Sequence, residues 1–268
     1  MKADLLRERY GREMPSWPSN DIIDSILSHR TWRTFKDDPL PDGMLETLIA
    51  AGQSAASSSN LQSWSVVAVT DKDRRCSLMK LGGGQSQIGE APLTLCFVAD
   101  LSRLAAIADS IGHPQDGLEY LEMFLVGAID AAIAAQNVTI AAESFGLGTC
   151  YLGVLRNRPE EMAEFLQLPP MATVVFGLAI GYPNDAQPFH VKPRLAQSSV
   201  LHHETYNVTE ALRPVPQYEA ALAAFNTRAQ RDQARWGLHS SHRVANAEVL
   251  AGRDRLAGTL KRMGFPLK

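Results

Sequence analysis

The chain is short of cysteine, of aromatic residues and of long hydrophobic runs, and each shortage narrows its class. Cys76, Cys96 and Cys150 are its only cysteines. Three thiols without metal-ligand spacing give neither a zinc site nor a disulfide framework, which suits a reducing compartment. The most apolar run, Met123 to Ala135, contains Asp130 and is too short to cross a bilayer, which needs about 20 residues. No secretory signal follows Met1-Lys2-Ala3-Asp4, so a cytoplasmic location is expected. The glycosylation patterns Asn137-Val138-Thr139 and Asn207-Val208-Thr209 are then chance matches. There is no G-x-S-x-G elbow, no H-E-x-x-H and no compelling carboxylate pair, so no dedicated catalytic side chain is identified. Gly82-Gly83-Gly84-Gln85 lacks the Lys and Ser/Thr of a phosphate-binding P-loop.

What remains is ordinary globular material: 268 residues, 45% hydrophobic and 21% charged, enough for one sizeable core or two small ones. The formal charge of -3 hides an asymmetry. Residues 1 to 227 carry 17 basic and 26 acidic side chains, whereas residues 228 to 268 carry 9 basic and 3 acidic. A basic arm attracts phosphate or is a solvated helix face. Nucleic-acid binding is not expected, because no aromatic stacking pattern or recognition helix accompanies it.

The chain is organised around Ser28-His29-Arg30-Thr31-Trp32-Arg33-Thr34-Phe35. If the helix before it continues, His29, Arg30 and Arg33 lie three and four apart and converge on one face. Such a cluster either binds an anion with forked guanidinium contacts or is a solvated basic helix end. Residues 1 to 18 are polar, carry Pro15 and Pro18 and read as a flexible extension, with one folded domain over residues 19 to 268. Ser19 or Asn20 caps a helix whose Ile22, Ile23, Ile26 and Leu27 form one buried stripe. A second helix opens at Pro41-Asp42-Gly43-Met44 and buries Leu45, Leu48 and Ile49. Ala55 to Gln62 is rich in hydroxyls and amides, sits before the strand 65–70 and reads as a ligand-lining loop. A helix spans about 72 to 80, and the glycines after it allow close backbone approach to a bound group.

Residues 93 to 99 are near-continuously apolar, as in a strand covered on both faces. The longest helical pattern, Gly117 to Phe145, carries Leu121, Leu125, Ala128, Ala132, Ala135 and Ile140. It is either a central core helix or a surface that packs on its own copy. A short turn or strand follows at 149–154 and a strand at 174–183, with a capped acidic helix between them that ends at Pro169-Pro170. Extended backbone at Lys192-Pro193-Arg194 points both cations to one side. Residues 196 to 216 look extended, and helical patterns resume near Gln217.

These stretches together resemble the flavin-dependent nitroreductases, in particular the NADPH-preferring oxygen-insensitive nitroreductases and NADPH:flavin oxidoreductases. The likeness rests on His29-Arg30-Thr31-Trp32-Arg33, Ser57 to Gln62, Gly83-Gly84-Gln85, Ala134 to Asn137, Ala141 to Gly148, Gly148 to Gly153, and Gly181-Tyr182-Pro183 through Lys192-Pro193-Arg194-Leu195. It implies an α+β fold with a central mixed, mainly antiparallel β-sheet surrounded by helices. It also implies an obligate homodimer, the long helix at its interface, with noncovalent FMN in two interface sites. By position it assigns His29, Arg30, Thr31 and Arg33 to FMN, with Ser57 and Gln85 as polar contacts. Tyr151, Leu152 and Gly153 run beside the ring, and Lys192 and Arg194 complete the cationic set. Arg228 and Arg231 fall where such enzymes hold the NADPH 2'-phosphate. Two departures stand out: Val154 where a second glycine is frequent, and Thr31 for a commoner serine.

The implied activity is ping-pong hydride transfer from NADPH or NADH through FMN to nitroaromatics or quinones, the flavin carrying the chemistry. The alternatives are an NADPH:flavin reductase and a flavin-storage protein.

Overall fold

The computed structural model describes residues 3–15, 17–184, 190–232 and 235–268. Its chain order starts with α1 (Ala3–Tyr10), α2 (Asp21–Ser28), α3 (Met44–Gln53), β1 (Trp64–Val69), α4 (Lys72–Leu81), α5 (Ser86–Glu90), β2 (Leu93–Asp100) and α6 (Ser102–Ser110). It continues with α7 (Leu121–Ser144), β3 (Gly148–Leu152), α8 (Pro159–Leu166), β4 (Ala172–Gly181), α9 (Val208–Leu212), α10 (Val215–Arg228), α11 (Trp236–His242) and α12 (Leu256–Arg262). Two compact units result. One comprises Met1–Arg30 and Asp185–Val249, the other Thr31–Asn184 and Leu250–Lys268.

The second unit is built on a four-stranded sheet in the order β1-β2-β4-β3, antiparallel in every strand pair. Parallel pairing is confined to an isolated bridge, Thr31 to Thr149. All eight residues of β2 are buried, as its unbroken apolar run requires of a strand with both faces covered. One face meets α3 and α7 through Leu48, Phe97, Ala131, Ala134 and Val138, while the other packs Leu78, Ile88, Val98, Leu155 and Met162. Phe97 stacks on Phe176 across the sheet with ring centroids 5.3 Å apart.

Small residues bring α7 onto the sheet. A Cβ at Gly127 would stand 2.9 Å from the Ser63 carbonyl, so the helix approaches at a distance a larger side chain forbids. Its opposite face is apolar and open: Leu121, Leu125, Ile129 and Ile133 recur every fourth residue at 46, 45, 55 and 41% exposure. Leu121 and Leu125 are thus surface residues, and only part of the expected core stripe is core. α7 lies within the expected span of 117 to 145, and its 24 residues have the length and composition of a membrane span. Its buried face is nevertheless committed to the sheet.

The first unit holds α1, α2 and α9 to α11 around Tyr218, Leu222 and Phe225. Asn20 caps α2, accepting from the Ile23 amide at 2.9 Å. The expected buried stripe of α2 is absent: Ile22, Ile23 and Ile26 are 63, 39 and 39% exposed. The period marks an apolar face but not what covers it. In the amino-terminal stretch, where the sequence suggests a flexible extension, residues 3 to 10 form a helix with Leu6 buried. Residues 1, 2 and 16 lie outside the described residues.

Arg75 ties the second unit's loops together. It is 6% exposed and donates to the carbonyls of Thr70 at 3.1 Å, Gly89 at 2.7 Å and Ala91 at 2.6 Å. Arg75→Met leaves three carbonyl acceptors, that of Ala91 buried, without their donor, a loss of about 2–4 kcal/mol. Urea unfolding checks this, a shift in midpoint at unchanged slope being the expected result.

Candidate functional site

The motif that opens at His29 in the first unit lies, from Thr31 onward, beside β3 of the second. Helix α2 stops at Ser28, and His29 takes φ -48, ψ 132. The cluster is therefore extended, and the one-face helical convergence expected of His29, Arg30 and Arg33 does not occur. Thr31 bridges Thr149, and the Trp32 amide donates to the Thr149 carbonyl at 2.9 Å. Trp32 fits there because residue 148 is glycine: a Cβ would stand 2.8 Å from the indole Cγ. The charge of Arg33 reaches β3, where it pulls the Cys150 thiol down against the larger upward effect of burial.

Leu152 is buried in the core at 1% exposure, so it can offer a ligand only its main chain. Tyr151 stays 40% exposed, its hydroxyl 3.2 Å from the Thr139 hydroxyl that donates to it. Burial pushes its pKa up. Gly153 opens the 3-10 turn Gly153–Arg156. Val154 packs against the core, its Cγ2 3.5 Å from where a Cβ at Gly83 would lie. It faces the glycine turn. Gly83 and Gly84 have φ of 67 and 75, the left-handed region that glycine adopts freely, and they lead to Gln85 at the start of α5. The Gln85 side chain accepts from Gln87 at 3.0 Å.

The serine-rich loop is fixed by a residue noted in the sequence only as an interruption of the apolar run. Asp130 of α7 is 2% exposed, accepting from the Ser57 hydroxyl at 2.7 Å and the Ser58 amide at 3.1 Å. The Ser57 oxygen also accepts from the Gln62 amide at 2.9 Å, so most of its capacity holds the loop. Ser59, Asn60 and Gln62 all have positive φ, 49, 55 and 50. Non-glycine residues persist there only where the surroundings over-determine them. A polar cleft of about 360 Å³, within the range of small-molecule sites, opens beside the loop and is lined by Gln53, Ser57, Asn60, Gln62, Trp64 and Arg103.

The first unit carries the other cations. Burial lowers the Arg30 pKa, and the positive charge of Arg231 lowers it further. These two guanidiniums are close enough to repel. Arg231 also lies over the Phe225 ring, 5.5 Å from its centroid. Lys192 and Arg194 are exposed while Val191 and Pro193 are buried, the alternation expected of extended chain. Arg194 lies near enough to Tyr218 to draw its pKa down against the larger effect of burial. Arg228 is set on a separate cleft of about 270 Å³ with Arg7, Glu8 and Pro193. Among the described residues no cluster suited to a metal ion occurs.

The Nitroreductase family model matches residues 26–182, and the model of the family's C-terminal domain matches residues 192–268. The chain belongs to the nitroreductase family. It is 42% identical over 190 residues to an FMN reductase (NADPH) of Bacillus subtilis, covering 70% of this chain and 76% of that protein. It is 36% identical over 203 residues to the oxygen-insensitive NADPH nitroreductase of Salmonella typhimurium, covering 76% of this chain and 81% of the relative. The solved structure of NfrA2 from B. megaterium superposes with a TM-score of 0.86 at 36% identity, spanning 93% of this chain and all of that one. The nitroreductase fold inferred from the motifs is thus the fold of the chain.

Asp130→Ala removes two hydrogen bonds to the serine loop, a destabilisation of about 2–4 kcal/mol. Hydrogen exchange of the amides of residues 57 to 62 should accelerate selectively. Burial pushes the Cys96 thiol up to about 12 and raises that of Cys150, whereas Cys76 is partly exposed. A thiol reagent at mildly alkaline pH should therefore label Cys76 alone in the native protein and all three after denaturation. Peptide mapping of the labelled protein reads the result.

Proposed function

We propose that the protein is an NAD(P)H-dependent FMN oxidoreductase that reduces nitroaromatics or quinones. The observation that carries this reading is the match to the nitroreductase family over residues 26–182, with relatives named FMN reductase (NADPH) and oxygen-insensitive NADPH nitroreductase. The donor chemistry fits FMN: cationic groups for a phosphate dianion and for the anionic edge of a reduced ring, hydroxyl and amide groups for the ring's polar rim. His29, Arg30, Thr31, Arg33, Lys192 and Arg194 would hold it, with Ser57 and Gln85 as further polar contacts. Tyr151, Leu152 and Gly153 would run beside the ring, the main-chain N–H at Gly153 serving its N5 atom.

When bound, FMN supplies the acceptor for hydride from the nicotinamide and its donor to the second substrate. The protein's own residues bind, orient and balance charge, and no side-chain nucleophile is required. Arg228 and Arg231 are the proposed contacts of an NADPH 2'-phosphate. A second reading, in which free flavin is the physiological acceptor, is favoured by the relative named FMN reductase (NADPH).

The working form is a homodimer joined along α7. Its open apolar residues Leu121, Leu125, Ile129 and Ile133 are what a self-complementary interface buries. Three free cysteines suit a cytoplasmic enzyme.

Anaerobic NADPH should bleach the flavin band of the loaded protein, and a nitroaromatic or quinone should restore it. Steady-state rates with FMN, quinones and nitrofurans side by side then rank the acceptors. A flavin that stays reduced for hours with both acceptor classes present would count against the reading and in favour of storage. Ile129→Arg places a charge in the apolar stripe and should convert the dimer to monomer in sedimentation velocity, while Glu122→Arg, at the solvated start of α7, is the control for charge alone.

A further inference from the structure

Helix α1 lies outside both family models, which begin at residues 26 and 192. It is nevertheless bound into the unit that carries His29, Arg30, Lys192 and Arg194. Arg9 is 8% exposed. Its Nη2 donates to the carbonyls of Leu27 at 2.7 Å and His29 at 3.1 Å, and its Nη1 to that of Lys192 at 2.9 Å. The main chain adds to the same junction. The Arg194 amide donates to the Arg9 carbonyl at 2.8 Å, and the Val191 amide donates to Glu8 Oε2 at 3.0 Å. Just beyond the helix, Gly11 has φ +66, and a Cβ there would stand 2.2 Å from Ala221 Cβ on α10. The amino-terminal segment is therefore seated on α10 at a separation only glycine permits.

A guanidinium presents donors in a rigid fork and can fix several carbonyls at once, which an ammonium cannot do in the same geometry. Here the fork spans two segments remote in sequence. It sets the main chain at His29 against the main chain at Lys192, and so sets the spacing of the cationic side chains that each segment carries. Resting on the FMN reading, we infer that Arg9 is a positioning residue for the cofactor's phosphate, acting through the His29–Arg30 and Lys192–Arg194 segments without touching the cofactor. Residues 3 to 11 thereby serve cofactor binding rather than act as a tail.

The test titrates the apoprotein of wild type, Arg9→Ala and Arg9→Lys with FMN and with riboflavin, which lacks the phosphate. Flavin fluorescence gives Kd, and circular dichroism with a melting curve confirms the fold. In both variants the FMN Kd should rise about tenfold or more while the riboflavin Kd changes by less than about threefold. An FMN Kd equal to wild type overturns the inference, as does equal weakening of both flavins, the signature of a merely structural role. If neither Arg9 variant folds, Glu8→Ala, which removes the anchor on Val191, carries the same comparison: selective weakening of FMN supports the inference and unchanged binding overturns it. A wild-type protein that binds neither flavin overturns the FMN reading itself, and this inference with it.

Discussion

Covering β2 and β4 on both faces is the constraint on which the second unit depends. A strand with every residue buried needs helices above and below it, and their approach distance is set by what they carry. On one side α7 comes close because Gly127, Ala131, Ala134 and Ala135 leave room. That geometry turns Leu121, Leu125, Ile129 and Ile133 to the opposite side, so the helix that completes the core also presents an apolar surface. Core packing and the proposed self-association are two faces of one helix. Asp130 on the buried side links the same helix to the serine loop.

The second organising force is electrostatic. The cations of the motifs lie on extended segments, at His29 to Arg33 and Lys192 to Arg194, where main-chain direction decides which side chains share a side. Arg30 with Arg231 and Arg194 beside Tyr218 show those charges already brought near one another or partly buried. A site of this kind requires firm backbone support, and buried Arg9 provides it in the first unit.

Much of this was legible in the residues. The apolar run 93–99 reads as a doubly covered strand because its composition admits no solvated face, and Asn20 reads as a cap because its side chain satisfies an orphan amide. The family was legible through the order of its motifs along the chain. Three features were not. The apolar periods of α2 and of α7 mark faces but carry no information on whether the same chain covers them. The helical register of His29 to Arg33 failed because α2 ends at Ser28, a boundary that neither Gly nor Pro signals. The role of Arg9 depends on carbonyls 18 to 183 residues away, and hydrogen bonds to the main chain leave no mark in side-chain patterns. Asp130 did leave one: an acid inside an apolar run is costly unless partnered.

The most direct test of the account is sedimentation velocity of the purified protein, reconstituted with FMN and recorded at the protein and flavin absorbance bands together. The account predicts a single boundary at twice the chain mass that carries one flavin per chain. Flavin absorbance that remains behind while the protein sediments would contradict it.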